Sequence, residues 1–342
     1  MQDQQTLHQN VVITVTYGAR WHLLRQALAS AREEGFNKAI IVDNGAREDI
    51  AALANSEFGD FAEVLTMGRN TGSAGGFKAG MERALQMDAE YLLLLDDDNV
   101  LQSGCLQALQ TAHGRCANSV ALQNLSVLAY RDNLYADVVA NVSKSGMDGN
   151  RAAFLGFHCA DVPYKLFRRT GWGKRWIAQR PALQQASLAI APYSGMYFHR
   201  SVLVHHGFPD ERFLLYADDT DFSARITRAG GQIVLVPEAQ LVDLEMSWHV
   251  KARFTNTLDA LLLGDGDFRV FYSTRNNAYY EACANRDGSK FLRSFNRALY
   301  LGALKVRAIM KGRRERFALL LRAIREGERG RLGEHPDFPL SS

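Results

Sequence analysis

Four short apolar runs alternate with helix-length stretches through the first hundred residues, and this alternation constrains the fold more than any other feature of the chain. "VVITVTY" (Val11 to Tyr17) is rich in β-branched residues and reads as a strand. Helical spacing follows from Arg20 to Glu34, and "KAIIVDNG" is a second strand ending in a turn. "FAEVLTM" is a third strand, the glycine-rich "RNTGSAGG" opens a helix through Met87, and "YLLLL" is a fourth strand. Strands joined by helices at this spacing pair in parallel, with helices covering both faces of the sheet.

In such a sheet, ligands bind at the carboxyl ends of the strands. Those ends carry Thr16 and Tyr17, Asp43 and Asn44, Arg69 and Asn70, and then Asp96, Asp97 and Asp98. All are polar, which is the pattern of a nucleotide or phosphate cleft. The last set is the most informative, because Tyr91 to Leu95 runs straight into three acids. Alternate residues leaving a strand share a side, so Asp96 and Asp98 face one point and Asp97 faces elsewhere. Two carboxylates so placed repel each other and are costly to desolvate alone. A hard divalent cation, Mg²⁺ or Mn²⁺, suits such oxygens and would leave positions for water and phosphate. The competing reading is an acidic surface turn.

The glycine-rich stretch lacks the Gly-Lys-Ser/Thr ending of a phosphate loop and the spacing of a dinucleotide fingerprint, which weighs against NTPase and dehydrogenase readings. Its glycines either touch a ligand or allow close strand-to-helix packing. The stretch from about Tyr130 to Gln185 is irregular and reads as loop-rich, a candidate wall for an acceptor site. "APYSGMYFHR" reads as a strand, "SVLVHHGFPDERFLLY" as a short helix and turn, "DDTDFSARITRAG" as a helix closed by glycine, and "GQIVLVPE" as a further strand.

"YADDTDF" supplies a second acidic cluster. A carboxylate there facing the cleft could take a proton from an incoming nucleophile while a metal neutralises a leaving diphosphate. Otherwise Asp218 and Asp219 are helix caps and Asp221 a solvated first-turn acid. His249, in "EMSWHVKARF", either completes the metal shell or is structural.

Beyond Lys251 the pattern becomes mostly helical. Phe291, Phe295, Leu299, Gly302, Val306 and Met310 form one stripe, and Phe317, Leu320, Leu321 and Ile324 another. A catalytic domain over 1–250 and a basic helical region over 251–342 are therefore expected. Lys290 to Arg331 holds 13 Lys and Arg against 3 Glu, so within a net charge of +3 the remainder of the chain stands at −7. A cationic amphipathic helix can lie on anionic lipid, whereas no motif supports nucleic acid as a partner. No apolar run approaches the roughly 20 residues of a membrane span. The four cysteines form no CxxC pair and the start of the chain is polar, so a reducing, cytoplasmic setting is expected, with contact at the inner membrane face.

From Val11 to about His249 the ordered motifs "VVITVTY", "IIVDNG", "RNTGSAGGFKAGM", "LLLLDDDN", "SGMYFHR", "FLLYADDTDF" and a late His resemble the inverting family 2 glycosyltransferases of GT-A fold. Within that family the chain is most similar to bacterial galactofuranosyltransferases. The resemblance implies a UDP-sugar donor, with UDP-galactofuranose foremost, and a glycan acceptor that is lipid-linked. It implies that Thr16, Asp43, Asn44, Arg69, Asn70, Asp96 and Asp97 bind the donor. Asp96, Asp98 and His249 would hold the metal, and Asp219 would be the general base. Asp218, Asp221, Tyr216 and Trp248 would contact acceptor or sugar hydroxyls. The chain departs from the galactofuranosyltransferase pattern at Ala217, where a Trp usually precedes the paired acids. Another hexosyl or rhamnosyl donor is the alternative within the family. A sugar nucleotidyltransferase is the alternative outside it, although "TYGARWH" lacks the glycine-rich basic loop such enzymes place after the first strand. "FYSTRNNAYY" (Phe271 to Tyr280) also looks like a segment that follows the catalytic domain in related sugar transferases.

Overall fold

The computed structural model describes residues 9–139, 152–179, 183, 185–245, 257–264, 266–284 and 289–340. The first half alternates strands and helices: β1 (Asn10–Gly18), α1 (Trp21–Glu33), β2 (Lys38–Ala46), α2 (Ile50–Phe58), β3 (Ala62–Thr66), α3 (Gly72–Gln86) and β4 (Tyr91–Asp96). There follow β5 (Asn99–Leu101), α4 (Cys105–Ala117), β6 (Leu125–Tyr130), α5 (Asp132–Val139), α6 (Val162–Phe167), α7 (Gly171–Ala178), β7 (Ala186–Leu188) and β8 (Met196–His199). The sheet-forming part of the chain closes with α8 (Ser201–His206), α9 (Asp218–Arg228) and β9 (Gln232–Asp243). Four helices complete the chain: α10 (Thr257–Leu263), α11 (Asp267–Ala284), α12 (Lys290–Met310) and α13 (Arg314–Glu328).

The nine strands form one mixed sheet in the order β3-β2-β1-β4-β8-β6-β9-β5, with β7 on β9. β1 pairs in parallel with both β2 and β4, and β2 with β3. β8 runs against its neighbours β4 and β6, and the short β5 and β7 run against β9, which is parallel to β6. Alternate residues of the central strands feed two cores. Val12, Ile41, Leu93 and Leu95 meet α1, α2 and α4 on one face, while Val11, Ile13, Ile40, Leu92 and Leu94 meet α3, α8 and α9 on the other. Both faces are thus covered, as the strand–helix alternation demands, and the expected GT-A-type sheet with a following helical region is the architecture observed.

Two local readings need correction. The stretch after Tyr130 carries three short helices, α5, α6 and α7, rather than plain loop. Neither Asp218 nor Asp219 caps α9: the cap position is Ala217, left-handed at φ 63° and without a side-chain cap, and all three acids lie in the first turn.

The two C-terminal apolar stripes part company. Leu320 and Ile324 of α13 are buried in a third core with Tyr300 and Leu304 of α12. The other face of α12 leaves Phe291 83% and Met310 76% exposed, with Phe295, Leu299, Val306 and Ile309 also open to solvent. No helix among the described residues is long and apolar enough to cross a membrane.

Candidate active site

A cavity of about 630 Å³ opens at the carboxyl ends of β1, β2 and β4. Its lining brings together Asn44 and Asn70, Asp96, Asp97 and Asp98, and Tyr216, Asp218 and Asp219 from the expected set. Two acidic clusters more than a hundred residues apart in sequence therefore face one space.

The glycine-rich loop reaches the cavity because Asn44 fastens it. The Asn44 Oδ1 accepts from the Thr71 amide (2.8 Å) and hydroxyl (2.9 Å), and its Nδ2 donates to the Gly72 carbonyl (3.0 Å). The glycines that follow serve packing. A Cβ on Gly76 would lie 2.6 Å from Val15 and one on Gly80 2.4 Å from Ile13, so α3 can sit this close to β1 only without side chains there. At Gly72, left-handed at φ +76°, a Cβ would meet the Leu214 carbonyl oxygen at 2.2 Å.

Within the first acidic cluster the middle acid is already paired. Asp97, 5% exposed, accepts from Arg20 Nε and Nη2 at 2.8–3.0 Å and from the Thr16 hydroxyl at 2.8 Å. Burial works against the Arg20 charge, but the hydrogen bonds and charge of Asp97, together with the Glu245 hydrogen bond, outweigh that and hold the guanidinium above its ordinary pKa. Arg20 also reaches Asp98 Oδ2 (3.2 Å) and Glu245 (2.8 Å). The flanking acids behave differently. Burial pushes the Asp96 carboxyl up to about 7 against the pull of Arg131, with Asp98 and Asp97 adding to the rise. Burial followed by the Asp97 charge pushes Asp98 up to about 6, with Arg20 opposing. Five aspartates line the cavity against two arginines, Arg20 and Arg269, so negative charge is in excess there.

The second cluster is held from both sides. Asp218 is buried and accepts from the Ser73 hydroxyl at 2.7 Å. Asp219 is half-buried, and its Oδ1 accepts from the Thr220 amide (2.6 Å) and hydroxyl (3.2 Å). Burial raises both carboxyls above the ordinary range, with the Asp219 charge adding to the shift of Asp218 and the Ser73 hydrogen bond opposing it.

Four expected residues lie outside the cavity lining. Thr16 is fully buried with its hydroxyl on Asp97. Asp43 accepts from the amides of Gly45 (3.2 Å) and Ala46 (2.8 Å), closing its own turn. Arg69 is exposed on the approach to α3, and Asp221 pairs with Arg225 one helical turn on (3.5 Å). Trp248 and His249 lie outside the described residues. Among the described residues, no group of three or more His, Cys, Asp or Glu has the geometry to hold a metal ion. No described residue of the irregular stretch from Tyr130 to Gln185 lines the cavity.

Sequence reasoning passed over Arg20, Ser73 and Tyr193, and above all the C-terminal contribution of Phe268, Arg269, Ser273, Asn277 and Leu340. Arg20 carried a signal, being a lone cation two residues beyond the end of the first strand. Ser73 and Tyr193 carried none that a single sequence displays.

The family described as "Glycosyl transferase family 2" matches residues 11–202. Galactofuranosyltransferase GlfT1 of Mycobacterium tuberculosis is 30% identical over 164 residues, 47% of this chain and 45% of that protein. Galactofuranosyltransferase GlfT1 of Mycolicibacterium smegmatis is 26% identical over 198 residues, 56% of each. The chain spans about half the length of the curated relatives it matches. Among solved structures, GalNAc-T7 with UDP, GalNAc and Mn²⁺ aligns with a TM-score of 0.49 at 12% identity, covering 86% of this chain and 55% of that one. S. aureus TarS 1-349 aligns with a TM-score of 0.47 at 11% identity, covering 94% and 92%. With the family match spanning more than half of its length, the chain belongs to glycosyl transferase family 2.

Proposed function

We propose that this family 2 chain is an inverting, metal-dependent transferase that moves galactofuranose from UDP-galactofuranose onto a hydroxyl of a glycan acceptor, with Asp219 as general base. The observation that carries this reading is the convergence of Asp96, Asp98 and Asp219 on one cavity. A divalent cation fits the first cluster, because Asp96 and Asp98 are half-buried, mutually repelling oxygen donors: Arg20 is engaged chiefly by Asp97, and the pull of Arg131 does not offset the cost of burying Asp96. Asp96 and Asp98 would hold that ion, which supplies charge neutralisation to the departing diphosphate.

The remaining work falls to the protein. Asn44 and Asn70 flank the nucleotide side of the cavity, and Arg20 keeps Asp97 from adding a further free negative charge. Asp219, which lines the same cavity, accepts the proton of the acceptor hydroxyl as that oxygen bonds to the anomeric carbon. The bond from that carbon to the diphosphate breaks in the same displacement, and its electron pair leaves with UDP. Attack opposite an α-linked donor gives a β-linked product.

Attachment to the anionic inner face of a membrane is part of the same reading. The exposed apolar stripe of α12 lies beside exposed Lys290, Lys305, Lys311, Arg313 and Arg314, a composition suited to anionic lipid and to a lipid-linked acceptor. UDP release from a panel of UDP-sugars, with and without Mn²⁺, tests the donor. Metal-dependent release confined to UDP-galactofuranose is expected. Release from another hexose alone would discard that donor and direct attention to Ala217, and pyrophosphate release from UTP would replace the reading with nucleotidyl transfer.

A further inference from the structure

The five residues that lead into the paired acids have an uncommon backbone. Leu214, Tyr216 and Ala217 are all left-handed, at φ 63°, 66° and 63°, and they are three of the five non-glycine residues with positive φ among those described. Leu214, with ψ −65°, forms the strained form of the γ-turn, closed by the Leu215 amide donating to the Phe213 carbonyl at 2.8 Å. Such residues cost on the order of 1–3 kcal/mol each and persist only where their surroundings over-determine them.

The surroundings here centre on one side chain. Asn276 of α11 is fully buried, and its Nδ2 donates to the carbonyls of Phe213 (2.7 Å), Leu215 (2.7 Å) and Tyr216 (3.2 Å). Its Oδ1 accepts from Arg275 Nε (2.9 Å), which fixes the amide with its donors toward the loop. The intervening Leu214 carbonyl turns the other way and accepts from the Ala74 amide of α3 at 3.0 Å. Four consecutive carbonyls, of Phe213 to Tyr216, are therefore held between α3 and α11, and only Ala217 separates them from Asp218 and Asp219.

We propose that Asn276 is a positioning residue for the transfer reaction: it stabilises the left-handed entry into α9 and so aims Asp219 at the cavity. The C-terminal helical region is then a working part of the active site, which gives the "FYSTRNNAYY" segment a role. The proposal rests on the reading of Asp219 as the base.

The test uses full-length protein with UDP-galactofuranose and Mn²⁺, measuring the rate of UDP release into water, the Kd for UDP and the thermal midpoint. Asn276→Asp keeps the shape and removes the donors, and Asn276→Ala removes the side chain. Both should lower kcat by about 100-fold, the scale of an ångström-sized misplacement, while UDP affinity stays within about threefold. Ala217→Gly accepts a left-handed φ without cost and loses only one methyl. In that background Asn276→Ala should recover about tenfold in kcat, which a role limited to helix packing would not produce. If Asn276→Ala is not recovered soluble, Asn276→Ser retains one donor in the same space and carries the same expectation. Folded Asn276 variants with kcat within twofold of the parent, beside a dead Asp219→Asn, would overturn the proposal and leave the base reading intact. Parallel losses in UDP affinity and kcat, with no recovery by Ala217→Gly, would also overturn it. An active Asp219→Asn would remove the base reading itself, and the positioning role with it.

Discussion

The two acidic clusters use the same residue type in opposite ways. Asp96, Asp97 and Asp98 end a buried parallel strand, where alternation sends the middle acid to Arg20 and Thr16 and leaves its neighbours crowded and short of positive charge. Asp218 and Asp219 begin a helix after a strained loop, where Ser73 holds the first and the second keeps one oxygen on its own Thr220. The first setting gathers charge that a cation would neutralise. The second presents, on the proposed reading, a single carboxylate for the proton of the acceptor hydroxyl. On the proposed roles, what would separate a metal-binding acid from a proton acceptor is the local backbone and the placement of neighbouring cations, not residue identity.

The comparison breaks if the clusters prove interchangeable. Asp219→Asn should lower transfer by about a thousandfold, within the range of a lost general base, with UDP binding retained. Asp98→Asn should cost about a hundredfold, and it should do so through weakened metal-dependent donor binding. Steady-state rates together with UDP titrations separate the two patterns, and identical patterns would dissolve the distinction.

Arg20→Gln sharpens it from the stability side. The substitution leaves Asp97 buried without its cation, and with Arg20 itself partly exposed the loss should be about 2–3 kcal/mol by denaturant unfolding. A variant as stable as the parent would mean that the pair contributes nothing.

A smaller effect, on the order of 2 kcal/mol, concerns pH. Asp96 and Asp98 have folded pKa values of about 7 and about 6, above the ordinary 3.8, so the metal-free folded chain holds protons that the unfolded chain has released. Stability from these groups is present at low pH and is lost as pH rises through 6 to 7. The melting temperature of metal-free protein should therefore fall between about pH 5 and pH 8, and Mn²⁺ should flatten the trend at the high end. A rise over that interval would contradict the assignment of the excess charge to these acids.

The smallest effect on stability belongs to the surface. Replacing Phe291, Phe295 and Met310 together by Ser should change folding stability by no more than about 0.5 kcal/mol per site while reducing flotation with anionic liposomes. Undiminished flotation would remove the α12 stripe from the account of membrane attachment.

Much of the sheet was legible in the sequence because its strands are buried on both faces and therefore appear as uninterrupted apolar runs. Asp96 to Asp98 stood out for the same reason, as charge directly after such a run. The partners of those acids were less visible. Arg20 and Ser73 reach them through the fold, across 77 and 145 residues of sequence, and no local spacing announces either contact. Asp43 and Thr16 were legible as strand-end polar residues, but that pattern does not say whether a side chain faces the cleft or closes its own turn. The C-terminal wall was hidden because α11 contributes single polar residues among aromatic ones, and the value of Asn276 depends on a left-handed loop that propensity does not predict.

The central claim is that the first cluster binds metal and donor while the second accepts the proton. Calorimetric titration of UDP into the parent, Asp98→Asn and Asp219→Asn, each with and without Mn²⁺, tests it most directly. The account predicts Mn²⁺-dependent UDP binding in the parent and in Asp219→Asn, and its loss in Asp98→Asn. Metal-dependent UDP binding that survives in Asp98→Asn and disappears in Asp219→Asn would contradict it.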